Sequence, residues 1–213
     1  MWDFITQRRE EILFASWQHF SLVVQCLVLA TVLAVVIAAL VYRSSTASGI
    51  ANGVSAVGLT IPSFALIGLL IAPFGFGVTP AVIVVTFFAT LPILRNAVVG
   101  LSGIPGAVRE SARGIGMSRL RTLLTVEIPM AWPVIMAGIR VSAQMVMGIA
   151  AVAAYTLGPG LGGFIFSGLS RLGGANAFES VVVGVVGVIV LAVILDLALV
   201  LIGRLTTPRG IRV

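Results

Sequence analysis

Apolar residues run in five long blocks, at roughly 21–42, 50–72, 78–101, 132–157 and 180–203, with most polar residues gathered between them. A helix needs about 20 residues to cross the roughly 30 Å of hydrocarbon in a bilayer, and each block is long enough. The pattern therefore predicts five spanning helices. The first and last are plain, the last reading "VVVGVVGVIVLAVILDLALVLIG". The second contains Gly58, Thr60, Pro62 and Ser63, which predicts a kinked helix packed against protein rather than lipid. The third has Pro80 near its start and Pro92 near its end.

Between the third and fourth blocks the pattern changes to helical periodicity. Pro105 suits the first turn of a helix. Val108, Ala112 and Ile115 recur at i, i+4 and i+7 as a narrow apolar stripe, while Glu110 and Arg113 face elsewhere. Gly116 fits the helix C-cap, Ser118 can cap a second helix bearing Leu120, Leu123 and Leu124, and Pro129 ends that helix before the fourth span. The result is a helix–glycine–helix platform over about 105–129, with too little apolar surface for a core of its own. It needs a partner surface, or else lies on lipid.

Two other segments stand outside the blocks. Residues 1–20 begin "MWDFITQRREEILF", which mixes acids and bases with no cleavage site after a short apolar core. They read as an external amphipathic segment with Ile5, Ile12, Leu13 and Phe20 on one side. Residues 157–177, "LGPGLGGFIFSGLSRLGGANA", predict a short outer helix between flexible ends, serving either as packing or as a docking lip or gate.

Composition fixes the solvent. Of 213 residues, 59% are hydrophobic and 9% charged, and the mean hydropathy is +1.18. A soluble domain carries about 25% charged residues, so this is an all-α integral membrane protein. All 13 basic residues are arginine. With the platform loop taken as cytoplasmic, Arg43, Arg95, Arg109, Arg113, Arg119, Arg121, Arg204, Arg209 and Arg212 lie inside, against Arg8, Arg9 and Arg171 outside. This bias places the N-terminus outside and the C-terminal tail, 204–213, in the cytoplasm. The arginines mark topology rather than a nucleic-acid groove, because no stacking aromatics accompany them.

Chemistry is sparse. One cysteine (Cys26) and one histidine (His19) exclude a disulfide within the chain and argue against a His/Cys metal cluster. The Gly-rich stretch near 160 cannot be a P-loop, since the chain has no lysine to reach a phosphate. No acid pair has catalytic spacing, so no catalytic residue is expected. Arg140 and Asp196 fall inside the fourth and fifth blocks, each about 12 Å from the inner boundary at 1.5 Å per residue. Intramembrane charges are costly and are usually paired, and equal depth on antiparallel neighbours predicts an ion pair tying the two helices. Proton or ion coupling is the alternative reading.

The motif "ESARGIG", nine residues, then "VEIP" resembles the cytoplasmic signature of ABC importer permeases: Glu-Ala-Ala, three residues, Gly, nine residues, Ile-x-Leu-Pro. Glu110, Ala112, Gly116 and Pro129 match it, while Ser111, Val126 and Ile128 are mild departures. From about residue 20 onward, "TIPSFALIGLLI", "LPILRNAVVGL", "IPMAWPVIMAGIR" and "LGPGLGGFIFSG" resemble the branch serving glycine betaine, carnitine, choline and related quaternary amines. The resemblance implies a type I importer permease fold, a single transmembrane domain over 21–203, and seating of the platform in a groove of a separate ATPase subunit. It also implies a second permease chain, identical or paralogous, and an extracytoplasmic substrate-binding protein that is a separate chain. ATP and Mg would belong to the ATPase, with no cofactor on this chain. Pro62, Phe64 and Tyr155 are candidates for the substrate path, the aromatics as weak cation–π surfaces. Rivals are a permease for another small zwitterion or amino-acid-like solute, and an ion-coupled secondary carrier. The carrier should show an internal repeat, and none is found.

Overall fold

The computed structural model describes residues 1–156 and 158–207. Arg209, Arg212 and the rest of 208–213 lie outside them, as does Leu157. Helices make up the fold: α1 (Trp2–Gln7), α2 (Arg9–Val41), α3 (Ser45–Gly58), α4 (Ser63–Phe74), α5 (Val78–Ser102), α6 (Gly106–Gly114), α7 (Arg119–Thr122), α8 (Ile128–Ala153), α9 (Gly162–Leu169) and α10 (Ala177–Thr206). A π-helical segment, Leu123–Glu127, joins α7 to α8, and a 3₁₀ turn, Ala154–Thr156, follows α8.

Four stretches are long and apolar enough to span a membrane: Arg9–Val41, Val78–Ser102, Arg119–Thr156 and Ala177–Thr206. The second apolar block is no simple kinked helix. It is a pair, α3 and α4, bent by 92°, which makes a fifth span when the two are counted together. Pro62 explains the break. It cannot donate a backbone hydrogen bond and biases the preceding residue away from the helical region. Tight bonds from Thr60 N to Val57 O (3.0 Å) and Ile61 N to Gly58 O (3.3 Å) close α3, and Pro62 then serves as N-cap of α4.

The N-terminal segment is not separate from the first span. The helix boundary falls at Arg8 rather than near residue 20, because residues 9–41 contain neither glycine nor proline to interrupt the helix. At 33 residues, α2 is about 50 Å long, well beyond the hydrocarbon thickness. His19 belongs to this helix and is fully buried, with its Nε2 3.2 Å from the Met147 carbonyl on α8.

The core centres on α5 and α8, which cross closely and are flanked by α2. Val84, Ala89, Ile93, Ile135 and Val146 are sealed there, and the Ser142 hydroxyl donates to the Ala89 carbonyl at 2.7 Å. Gly138 permits the crossing: a Cβ there would stand 2.7 Å from Asn96 Cβ and 3.1 Å from the Pro92 carbonyl. The short helix expected within 157–177 forms as α9 and packs on α10, where Ser180 Oγ donates to the Phe164 carbonyl at 2.8 Å. By contrast α10 buries only 11% of its most apolar window, leaving a wide apolar face for lipid or another chain.

Candidate functional site

The platform begins one residue later than its sequence indicates, with Pro105 as N-cap rather than in the first turn. Its end matches a Schellman motif. Met117 N bonds to the Ala112 carbonyl (3.0 Å) and Gly116 N to the Arg113 carbonyl (2.9 Å), with Gly116 at φ +80°. Ser118 then accepts from Arg121 N at 3.3 Å and starts α7.

Pro129 does not end this second helix. The chain runs as one apolar helical stretch from Arg119 to Thr156, and Pro129 sits in the first turn of α8. A proline ring collides with the carbonyl four residues back and offers that carbonyl no donor. The π segment just before Pro129 widens the turn and shifts its bonding register, so the helix passes through. The platform is thus continuous with the span that follows it.

The apolar stripe divides. Val108 is half-buried and Ala112 buried, but Ile115 caps the helix and is 79% exposed. Leu123 packs on the core, whereas Leu120 and Leu124 are exposed. Ile115, Leu120 and Leu124 are thus exposed together with Glu110, Ser111 and Gly116. Val126, Ile128 and Pro129 are half-buried at the root of the platform. The motif therefore has a largely exposed head, apart from buried Ala112, and a partly buried root.

Sequence reasoning passed over Glu127, the variable position of that root. It is fully buried, and its carboxylate accepts from the Tyr42 hydroxyl (2.6 Å), Arg109 Nε (2.7 Å) and, at 3.4 Å, Arg43 Nη2. The available signal was a lone acid inside "LLTVEIP", with Tyr42 and Arg43 at the matching end of the first span.

Arg140 and Asp196 face each other in a two-pronged contact, Nε–Oδ1 and Nη2–Oδ2 both at 3.0 Å, with Gln144 Nε2 3.3 Å from Oδ1. At the other end of the spans, Pro62 lies at the α3–α4 break and Phe64 on the first turn of α4. The Phe64 and Tyr155 rings meet at 4.9 Å, and Phe166 of α9 joins Tyr155 at 5.5 Å. Phe64 and Tyr155 are each half exposed, while Phe88 is buried beside Phe87, so only the first pair offers accessible ring faces. Among the described residues no group of three His, Cys, Asp or Glu side chains could hold a metal.

The family model "Binding-protein-dependent transport system inner membrane component" matches residues 30–207, which include the platform, its root and all the spans after the first. This chain belongs to that family. Among curated relatives of this inner-membrane component, the glycine betaine/carnitine/choline transport system permease protein OpuCB of Bacillus subtilis (strain 168) is 34% identical, covering 100% of this chain and 96% of the relative. The carnitine transport permease protein OpuCB of Listeria monocytogenes is 35% identical, with coverages of 98% and 94%. The osmoprotectant import permease protein OsmW of Salmonella typhimurium is 38% identical, with 92% of each covered. A solved chain of the MetNI methionine ABC transporter superposes with a TM-score of 0.76 at 20% identity, over 92% of this chain and 96% of that one. That likeness establishes the fold.

Gly116 carries the first test. A leucine at φ +80° costs about 1–2 kcal/mol of backbone strain, although no atom lies within 4 Å of the new Cβ. Gly116→Leu is expected to retain the folded spans but to lose most ATPase-subunit co-purification or coupled transport. Gly116→Asn, which tolerates the left-handed region, should lose much less. Normal assembly and transport in the leucine variant would count against the platform.

Proposed function

We propose that this chain is the transmembrane subunit of an ATP-driven importer for glycine betaine-like quaternary ammonium osmoprotectants, and forms half of its pathway. The observation that carries the reading is the similarity to permeases of that named specificity, which extends over nearly the whole chain. The exposed head of the platform supports it, since Ile115, Leu120 and Leu124 are large apolar side chains left exposed in a segment that also carries exposed charges, suited to contact with a partner protein. That partner is an ABC ATPase subunit, which supplies ATP and Mg chemistry. A second permease chain completes the pathway, and an extracytoplasmic binding protein delivers the substrate.

In this reading Glu110, Ser111, Ala112 and Gly116 form the seat for the ATPase, with Val126, Ile128 and Pro129 beneath it. The N-terminus is outside and the C-terminus cytoplasmic, following the arginine bias. The Phe64 and Tyr155 rings, near Pro62, lie on the substrate path and present π faces to a passing quaternary ammonium group. ATP-driven closure of the ATPases moves the platforms, and the rigid α8 connection carries that movement into the membrane.

Reconstitution with the cognate ATPase and binding protein in liposomes tests this directly. Uptake of labelled glycine betaine should require both ATP and the binding protein. Hydrolysis stimulated by the binding protein without betaine uptake would retain the importer and refute the substrate. A chain that takes up betaine with no ATPase would be a secondary carrier.

A further inference from the structure

The platform is tied to the membrane helices through one buried carboxylate. Glu127, the last residue of the π segment, is 0% exposed and uses both of its oxygens. Oε2 faces the end of the first span, accepting from the Tyr42 hydroxyl at 2.6 Å and from Arg43 Nη2 at 3.4 Å. Oε1 faces α6, accepting from Arg109 Nε at 2.7 Å. Arg109 in turn donates from Nη2 to the Leu101 carbonyl at the end of α5, also at 2.7 Å. Arg43 Nε donates to the Tyr42 hydroxyl oxygen at 2.6 Å, and both guanidinium groups lie over the Tyr42 ring, 5.2 and 5.6 Å from its centroid.

Four elements therefore converge on one acid: the end of α2, the end of α5, the platform helix α6 and the root of α8. Apolar contacts between helices are non-directional and tolerate sliding, whereas charge-assisted hydrogen bonds fix both distance and orientation. Among the described residues, Arg109 is the α6 side chain that hydrogen-bonds to a spanning helix, and it does so beside its bond to Glu127. Among the described residues, the side-chain hydrogen bonds that carry a push on α6 to α2 and α5 follow this route. Two cations and a hydroxyl around a single anion also hold the centre together when one contact loosens.

We propose that Glu127 is a positioning residue for transport, converting displacement of the platform into movement of the first and third spans. It touches neither substrate nor nucleotide and acts through Tyr42, Arg43 and Arg109. This role rests on the proposed function, since it needs an ATPase to displace the platform.

The test uses the complete complex with its ATPase and binding protein in liposomes, and reads the ratio of betaine transported to ATP hydrolysed. Glu127→Gln keeps the shape and removes the charge. Tyr42→Phe removes a single hydroxyl and keeps the ring. Both variants should still co-purify with the ATPase. The ratio should fall at least tenfold in Glu127→Gln and about threefold in Tyr42→Phe, while hydrolysis on the partner subunit continues. An unchanged ratio in Tyr42→Phe, or a parallel loss of hydrolysis and transport with the ratio intact, overturns the role; this holds even where Glu127→Gln fails to fold. Wild type measured alongside separates the two failures. Wild type with neither ATP-driven uptake nor hydrolysis stimulated by the binding protein overturns the proposed importer and this role with it, whereas normal wild-type uptake with unchanged variant ratios overturns this role alone.

Discussion

A chain carrying Gly138→Leu is expected to lose its folded core, with little protein surviving extraction in detergent as a monodisperse species. The new Cβ alone would stand 2.7 Å from Asn96 Cβ and 3.1 Å from the Pro92 carbonyl. The carbonyl belongs to the backbone and cannot swing aside, so α5 and α8 must separate. Overpacking of this kind costs about 1–3 kcal/mol, and more where the backbone has to move. Leucine's better helix propensity returns only about 0.8 kcal/mol relative to glycine. The clash wins. Gly148→Leu is the matched control, on the same helix with nothing within 4 Å of its Cβ, and the isolated chain should tolerate it. Thermal unfolding of both variants in detergent, followed by light-scattering onset, distinguishes them. Equal stability would mean that the α5–α8 crossing is not the tight element of the fold.

The second large effect concerns the charges between α8 and α10. Asp196→Leu leaves Arg140 with no carboxylate, and an unpaired arginine near the middle of a spanning helix costs about 2.5–3.5 kcal/mol on insertion scales. Partial exposure of the pair, 41% for Arg140 and 26% for Asp196, leaves room for relief by water or a second chain, so the lower end applies. Membrane yield of Asp196→Leu should fall several-fold. Arg140→Met combined with Asp196→Leu should restore much of it, because replacing both members of an ion pair by apolar residues is often neutral or better. The milder single variants Asp196→Asn and Arg140→Gln should each assemble poorly. If both assemble normally, the pair is not a structural tie, and a role in ion coupling becomes the reading to pursue.

What could be read from the chain, and what could not, follows from how far apart the interacting residues are. The Schellman end at Gly116 and the Ser118 cap were legible because both motifs close within six residues. The Arg140–Asp196 contact was legible for a different reason: a membrane fixes depth, so two rare charges at equal height on adjacent antiparallel helices have few other partners. Pro129 misled. Its ring ordinarily breaks a helix, and nothing in "TVEIP" announces the π turn that accommodates it. Ile115 misled as well, because helical periodicity continues on paper past the point where the Schellman turn ends the helix.

By itself the sequence determined the solvent, the number of apolar blocks and the position of the platform. Those properties depend on composition and local spacing, and residues within about one helical turn of each other express them without help. Tertiary structure alone decided how sharply α3 and α4 bend at Pro62, the meeting of Phe64 with Tyr155 and Phe166, and the burial of Glu127. Glu127 and Tyr42 are 85 positions apart. Only packing of the helix ends brings such groups together, and a buried charge acquires its meaning from the partners that packing supplies.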